Sequence, residues 1–388
     1  MDKNNGAIYD ARKLGKPKMI ILGVQHMFAM FGATILVPIL TGLDISTTLL
    51  MAGLGTLLFH CITKFKVPAF LGSSFAFLGG YAAIKAFSPN DPNSMLPYAC
   101  LGVACAGLIY FILAAVIKAV GIEKVMRFFP PVVTGPIIIA IGLGLAPSAV
   151  SNCTTNWFLA VVALAVIVVF NIWGKGMAKI IPIILGLLIS YGTGLVLYFI
   201  SQANPDLIQN VPWLFSGGAD ANGVYQPIFD FTSLNTICDN ISKGHIFGSE
   251  GLIGIPIHWD KTVFGGIDYS NGALIASSII AIVPIAFATM MEHIGDICAI
   301  SSTPGNNYIK DPGLHRTLVG DGLATTLASL FGGPANTTYG ENTGVLALTR
   351  VYDPRVIRIA AYFAVAVSFF PIVSVIIGSI PSCIIGGI

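Results

Sequence analysis

Three carboxylates lie where a carboxylate is expensive. Glu292, Asp296 and Glu341 each fall inside an apolar stretch with no Lys or Arg at the same depth. A charged group at the centre of a bilayer costs at least about 2.5 kcal/mol on insertion scales. Such acids face a polar cavity and serve the movement of an ion or a substrate, or else they are buried hydrogen-bonding acids with a structural role. Glu292 and Asp296 are four residues apart, so a helix puts both on one face, one turn apart. Two acids that see one cavity are natural carriers of a coupling proton. His293 projects from a different face and reads as a packed, hydrogen-bonded histidine.

Glu341 stands in FGGPANTTYGENTG, Phe331 to Gly344, where Pro, small polar residues, an aromatic ring and Gly replace the expected continuous helix. The extended stretch Asn336 to Tyr339 ends at Gly340, so a half-helix restarts there with Glu341 in its first turn. The first N–H groups of a helix are donors and a carboxylate is an acceptor, which brings both polarities together. A second segment of the same texture, VPAFLGSSFAFLGG from Val67 to Gly80, supplies further backbone donors around Ser73, Ser74 and Phe75. A matched pair of interrupted spans points to a transporter site at the membrane midplane. Two Gly-rich helices that only pack tightly are the plainer alternative. A planar ligand with alternating N–H and C=O groups matches such a site, which fits a nucleobase and also other small amides.

The elements that must hold these residues are membrane spans. Of the 388 residues, 55% are hydrophobic and 10% charged, against roughly a quarter charged in a soluble domain. Twelve apolar runs of about 20 residues, enough to cross roughly 30 Å of hydrocarbon, follow one another from residue 19. The 43 Gly and 22 Pro suit interrupted, closely packed spans. All of the 20 Lys and Arg except Lys85, Lys243 and Lys261 fall on one side when the loops are assigned alternately. The positive-inside rule then makes the amino terminus cytoplasmic and the segment 201–272 external, as a loop or small cap. Seven spans precede that segment, so the second set enters from the opposite side, as an inverted repeat requires. The seven Cys have no CxxC spacing, HExxH and GxSxG are absent, and there is no nucleic-acid footprint. An enzyme is therefore not expected, and neither is a cofactor other than the proton as coupling ion. An anion exchanger of the same architecture is disfavoured by Glu292 and Glu341, which would repel its cargo.

At these residues the chain resembles the nucleobase–cation symporter family 2, the nucleobase/ascorbate transporters, and is nearest to its uracil carriers. ENTGVLALTR, Glu341 to Arg350, fits the family signature, while Gln25 and His26 in GVQHMFAMFG, GSSFAF and MEHIGD match the first, third and eighth spans. In the family, Glu at the first signature position goes with uracil, Gln with xanthine and urate, and Pro with ascorbate. The resemblance implies proton-coupled uptake of uracil by alternating access, with xanthine or another purine base next in line. It implies that Glu292 and Glu341 hold the base with the backbone of Phe75 and Gly340, and that Tyr339, Ala33, Ser74 and Phe75 surround it. Glu292, Asp296, Glu341 and His26 would handle the proton, although Asp296 replaces the His of the closest pattern.

The implied fold is an all-α polytopic membrane protein, a 7+7 inverted repeat with core and gate domains. After a cytoplasmic segment 1–18, the core would comprise 19–130 (spans 1 to 4) and 273–370 (spans 8 to 11). The gate would comprise 131–200 (spans 5 to 7) and the start of span 12 at 371–388. The sequence ends at SCIIGGI within that span, so spans 13 and 14 are expected to be missing from it. Expected partners are uracil or a related nucleobase, protons, the lipid bilayer of a bacterial plasma membrane and a second copy of the chain. A truncated, non-transporting membrane protein is the remaining alternative.

Overall fold

The computed structural model describes residues 7–388 except 122, 125–130, 180, 221 and 303–305. The first helix, α1 (Lys16–Thr41), has Pro17 in its opening turn, where the lost N–H has no partner to lose, and Gly42 closes it in the left-handed conformation. Asp44 starts α2 (Ile45–Ile62) by accepting the Thr47 N–H at 2.7 Å. The third apolar run is not one helix. It runs extended through β1 (Leu71–Ser73), turns at Phe75–Phe77 and becomes helical only in α3 (Leu78–Lys85). Four long helices follow: α4 (Leu96–Val120), α5 (Pro131–Cys153), α6 (Trp157–Trp173) and α7 (Pro182–Ala203).

The segment 201–272 is structured. It carries a hairpin of β2 (Ser216–Ala219) and β3 (Tyr225–Pro227), then α8 (Thr232–Ser242). The chain re-enters the apolar region with α9 (Gly272–Ile282), and Pro284, which lacks an N–H, tightens the next turn before α10 (Ala286–Ser302). After α11 (Leu314–Leu330) the second break appears: β4 (Asn336–Thr338) leads into α12 (Gly340–Thr349). The last helices are α13 (Pro354–Ser368), α14 (Pro371–Gly378) and α15 (Ser382–Gly387). Among the described residues, five helical stretches are long and apolar enough to cross a membrane without a break. Several other spans are shorter or broken, the third and tenth being half strand and half helix.

The chain divides into two compact units, residues 1–141 with 255–370 and residues 142–254 with 371–388. In the first, α4 and α11 touch backbone to backbone. A Cβ on Gly107 would lie 2.8 Å from Gly322 O, and one on Gly322 would lie 2.6 Å from Gly107 O. Phe59, Tyr81, Tyr110 and Leu318 fill the core around this contact. Within the same unit β1 pairs antiparallel with β4, Leu71 opposite Thr338 and Ser73 opposite Asn336. Every residue of both strands is buried. An extended backbone in an apolar interior must find partners for its N–H and C=O groups, and here each break supplies the other's. Helix side chains complete the pairing: Thr56 Oγ1 accepts Leu71 N–H at 2.9 Å, and Thr325 Oγ1 donates to Asn336 O at 2.6 Å.

In the second unit α6 packs on α7, with α15 laid close against α6, where a Cβ on Gly387 would meet Ala160 O. Asn156, 1% exposed, ties the hairpin to this base. Its Oδ1 caps α6 and its Nδ2 donates to Ser216 O at 2.8 Å.

Candidate functional site

The site is assembled on α10, α11, α1 and the two breaks, all in the first unit. Glu292 and Asp296 sit one turn apart on α10, both half-buried. Opposite them α12 begins at Gly340, with Tyr339 as its N-cap, whose side chain makes no capping bond. Glu341 is in that first turn and exposed. The two elements are close, for a Cβ on Gly340 would lie 3.8 Å from Asp296 Oδ1. Thr338 joins them directly by donating its hydroxyl to Asp296 Oδ2 at 2.9 Å.

Tyr339 is buried between α1 and β1. Its hydroxyl donates to Ser73 O at 2.9 Å and lies 3.3 Å from Thr34 Oγ1. Its ring lies against Gly72, where a Cβ would come within 2.5 Å of ring carbons. Ala33, Met30 and Phe70 belong to the same buried cluster, with half-buried Phe75 at its edge. Ser74 is buried and its Oγ accepts Ala76 N–H at 3.4 Å to start the turn that carries Phe75. Of the residues singled out for the ligand, then, Gly340 and Glu341 are open, Glu292 and Phe75 are half-open, and Ala33, Ser74 and Tyr339 are buried.

His26 is wholly buried on α1. Asn342 Nδ2 lies 3.1 Å from both His26 Nδ1 and His26 O. An amide NH₂ only donates, so Nδ1 is the acceptor and Nε2 carries the proton. That Nε2 meets no partner among the described residues.

Asp321 was not among the acids singled out from sequence. It is 0% exposed on α11, and its Oδ2 is 3.2 Å from Nδ1 of the equally buried His293. The same Nδ1 lies 3.4 Å from Thr338 Oγ1. Since Thr338 gives its proton to Asp296, its oxygen accepts from His293. Hydrogen bonds thus run from His293 through Thr338 to Asp296, and Asp321 lies within ion-pair distance of the same His293 nitrogen. Glu292 and Asp296 are each within electrostatic reach of Asp321 and Glu341, and no Lys or Arg acts on either. Among the described residues no three His, Cys, Asp or Glu are placed to hold a metal ion.

This is the architecture of a membrane carrier of the seven-plus-seven span class. The transmembrane domain of a cyanobacterium bicarbonate transporter, BicA, aligns with a TM-score of 0.60 at 13% identity, covering 98% of this chain and 88% of that one. SLC26A9 aligns with a TM-score of 0.52 at 11% identity, over 98% of this chain and 57% of that one. At these identities the likeness is one of fold, and it agrees with the all-α transporter fold expected from the sequence.

Sequence narrows the class. Residues 17–388 match the model of a family described as the permease family. The uracil permease of Bacillus caldolyticus is 38% identical over 380 residues, 95% of this chain and 75% of that protein. A probable uracil permease of Haemophilus influenzae is 36% identical over 387 residues, 97% and 79%. A putative pyrimidine permease of Escherichia coli K12 is 34% identical over 386 residues, 99% and 76%. The chain belongs to this permease family, the nucleobase/ascorbate transporters, and is a multi-pass membrane transport protein.

Proposed function

We propose that this protein carries uracil, with a proton, across a bacterial plasma membrane by alternating access. The observation that carries this is the meeting of Glu341, in the first turn of α12, with Glu292 and Asp296 on α10. Uracil presents N–H and C=O groups in alternation around a flat ring. Glu341 and Glu292 accept its N–H groups, and backbone N–H groups at Gly340 and Phe75 serve its carbonyls. Ring contacts come from Phe75, with Tyr339 and Ala33 behind. Gln in place of Glu341 would both donate and accept, which suits a purine such as xanthine better. The names of the relatives support a pyrimidine.

The proton is held on the acids of α10, where Thr338 and His293 stand behind Asp296 and Asp321 adds a further acid beside His293. Pairing with a neutral base lets the inward proton gradient drive accumulation. Residues 1–141 and 255–370 act as the core that carries the ligand, and the other unit acts as the gate. Equilibrium binding of labelled uracil to the purified protein, with unlabelled xanthine and sulfate as competitors, tests the substrate. Saturable binding displaced by uracil alone is expected. Displacement by sulfate would overturn the reading in favour of an anion carrier, and displacement by xanthine at equal concentration would overturn the preference for uracil.

A further inference from the structure

Residues 8–14 do not trail from the first helix. They are bound along the loop that ends α12. Ile8 N–H donates to Arg350 O at 2.8 Å, and Ile8 O accepts Tyr352 N–H at 2.8 Å, a parallel bridge centred on Val351. Asp10 then starts a short turn, Ala11–Leu14, and Ala11 N–H donates to Asp353 Oδ2 at 2.7 Å. Asp353 is 3% exposed and is also the N-cap of α13, accepting Arg355 N–H through Oδ1 at 2.9 Å. Arg355 Nη1 reaches Asp353 Oδ2 at 3.1 Å and Asp10 Oδ1 at 3.0 Å, closing the polar layer. Beneath it Ile8, Ala11, Leu14 and Met19 pack on Val351 and Val356.

What this strap holds is the half-helix with Glu341. α12 has ten residues, fewer than an isolated helix needs to persist. Its first turn has to remain open for a ligand, so it must be held elsewhere. One tie is at depth, where Asn342 bonds His26 of α1. The strap is the second, at the far end, about 15 Å along the axis from Glu341. It runs through Gly15 directly into α1, so α1 grips α12 from both ends. From this geometry we infer that the strap and its anchor Asp353 are positioning elements for the ligand site: they fix the axial place of α12 and thereby the height of Glu341 and its neighbouring N–H groups opposite α10. The inference rests on α12 being the substrate helix, as proposed above.

The test uses Asp353→Asn and, because that change also weakens the cap of α13, Ala11→Pro, which removes one donor and leaves the cap. Each is expected to raise the uracil Kd about ten-fold at unchanged stoichiometry, the size of one lost hydrogen bond to a charged group. Each is also expected to speed amide exchange across residues 340–349. Ile8→Cys with Val351→Cys, in a background with the exposed Cys61 and Cys238 changed to Ser, can be oxidised across the bridge. In either variant the cross-link should restore both affinity and protection, and a reductant should reverse the rescue. Unchanged affinity and exchange in both variants would overturn the inference, as would losses that the cross-link does not repair. If the parent protein binds no uracil, the substrate assignment fails, while the exchange measurement still decides the role of the strap.

Discussion

Replacing Glu341 by Gln keeps the length of the side chain and one acceptor oxygen but turns the other acceptor into a donor. An N–H of uracil that met a carboxylate then meets either a weaker carbonyl or another N–H. A hydrogen bond to a charged partner contributes about 1.5–3 kcal/mol, and because the Gln carbonyl still offers the N–H a neutral acceptor, the lower end applies. At about 1.5 kcal/mol the uracil Kd should rise roughly twelve-fold. Glu341 also lies in the first turn of α12, where a negative charge stabilises a helix by about 0.3–1 kcal/mol. The variant should therefore melt slightly earlier without ligand, and binding has to be measured by titration at a temperature where both proteins are folded. Xanthine should gain relative to uracil. A uracil Kd within two-fold of the parent, with no gain for xanthine, would refute the role of the carboxylate.

Three further outcomes follow from the geometry. Asp321→Asn removes the acid beside His293, and Thr338→Val removes the hydroxyl that links His293 to Asp296. Both should bind uracil while taking up less of the proton that accompanies binding, read as pH change in weak buffer; full proton uptake in both would exclude these groups from holding the proton. Gly72→Ala puts a methyl 2.5 Å from the Tyr339 ring, and the ring is held by its bond to Ser73. Overpacking of this kind costs about 1–3 kcal/mol, so the melting temperature should fall, and an unshifted melt would show that the ring moves freely. The Arg12 guanidinium, bonded to Asp10, holds that carboxyl down to about 2 from an ordinary 3.8. A depressed carboxylate contributes fully above its ordinary value and loses that contribution as pH falls through the folded value. Amide protection of residues 8–14 should thus stay level from about pH 8 to about pH 5 and fall only below about pH 4. Loss of protection near neutral pH would count against this ion pair.

Much of the scaffold is legible along the chain because membrane spans announce themselves by length and composition. The two breaks are legible too, since Pro, Gly and small polar residues interrupt apolar runs at 67–80 and 331–344. Their antiparallel register is not, because nothing near Leu71 in sequence says that it faces Thr338. Asp321 escaped for a similar reason. It sits between Gly320 and Gly322 in LVGDGLATT, a run of small residues, and the His293 beside it lies on another helix. The signal was nevertheless present, as an acid within a stretch of spanning length. The hairpin in 201–272 carries an Asn222-Gly223 turn, the strongest local hairpin cue. The strap could not be inferred, since a polar segment before a first span ordinarily marks a solvated tail.

The pairing of β1 with β4 also sets a timetable for biogenesis. Ser73 and Tyr339, which share a hydrogen bond across the two breaks, are 266 residues apart. At 5–20 residues per second, roughly 13 to 53 s of synthesis separate them. Throughout that interval the first break has no mate, and an unsatisfied backbone group in hydrocarbon costs several kcal/mol. The nascent amino-terminal half therefore cannot adopt its final form on arrival. It must wait at the insertion machinery, or keep its third span as a strained helix or a wet loop, until the second half arrives. Damage to β4 then acts backwards along the chain, leaving earlier spans unfinished and open to quality-control proteolysis although their own sequence is intact.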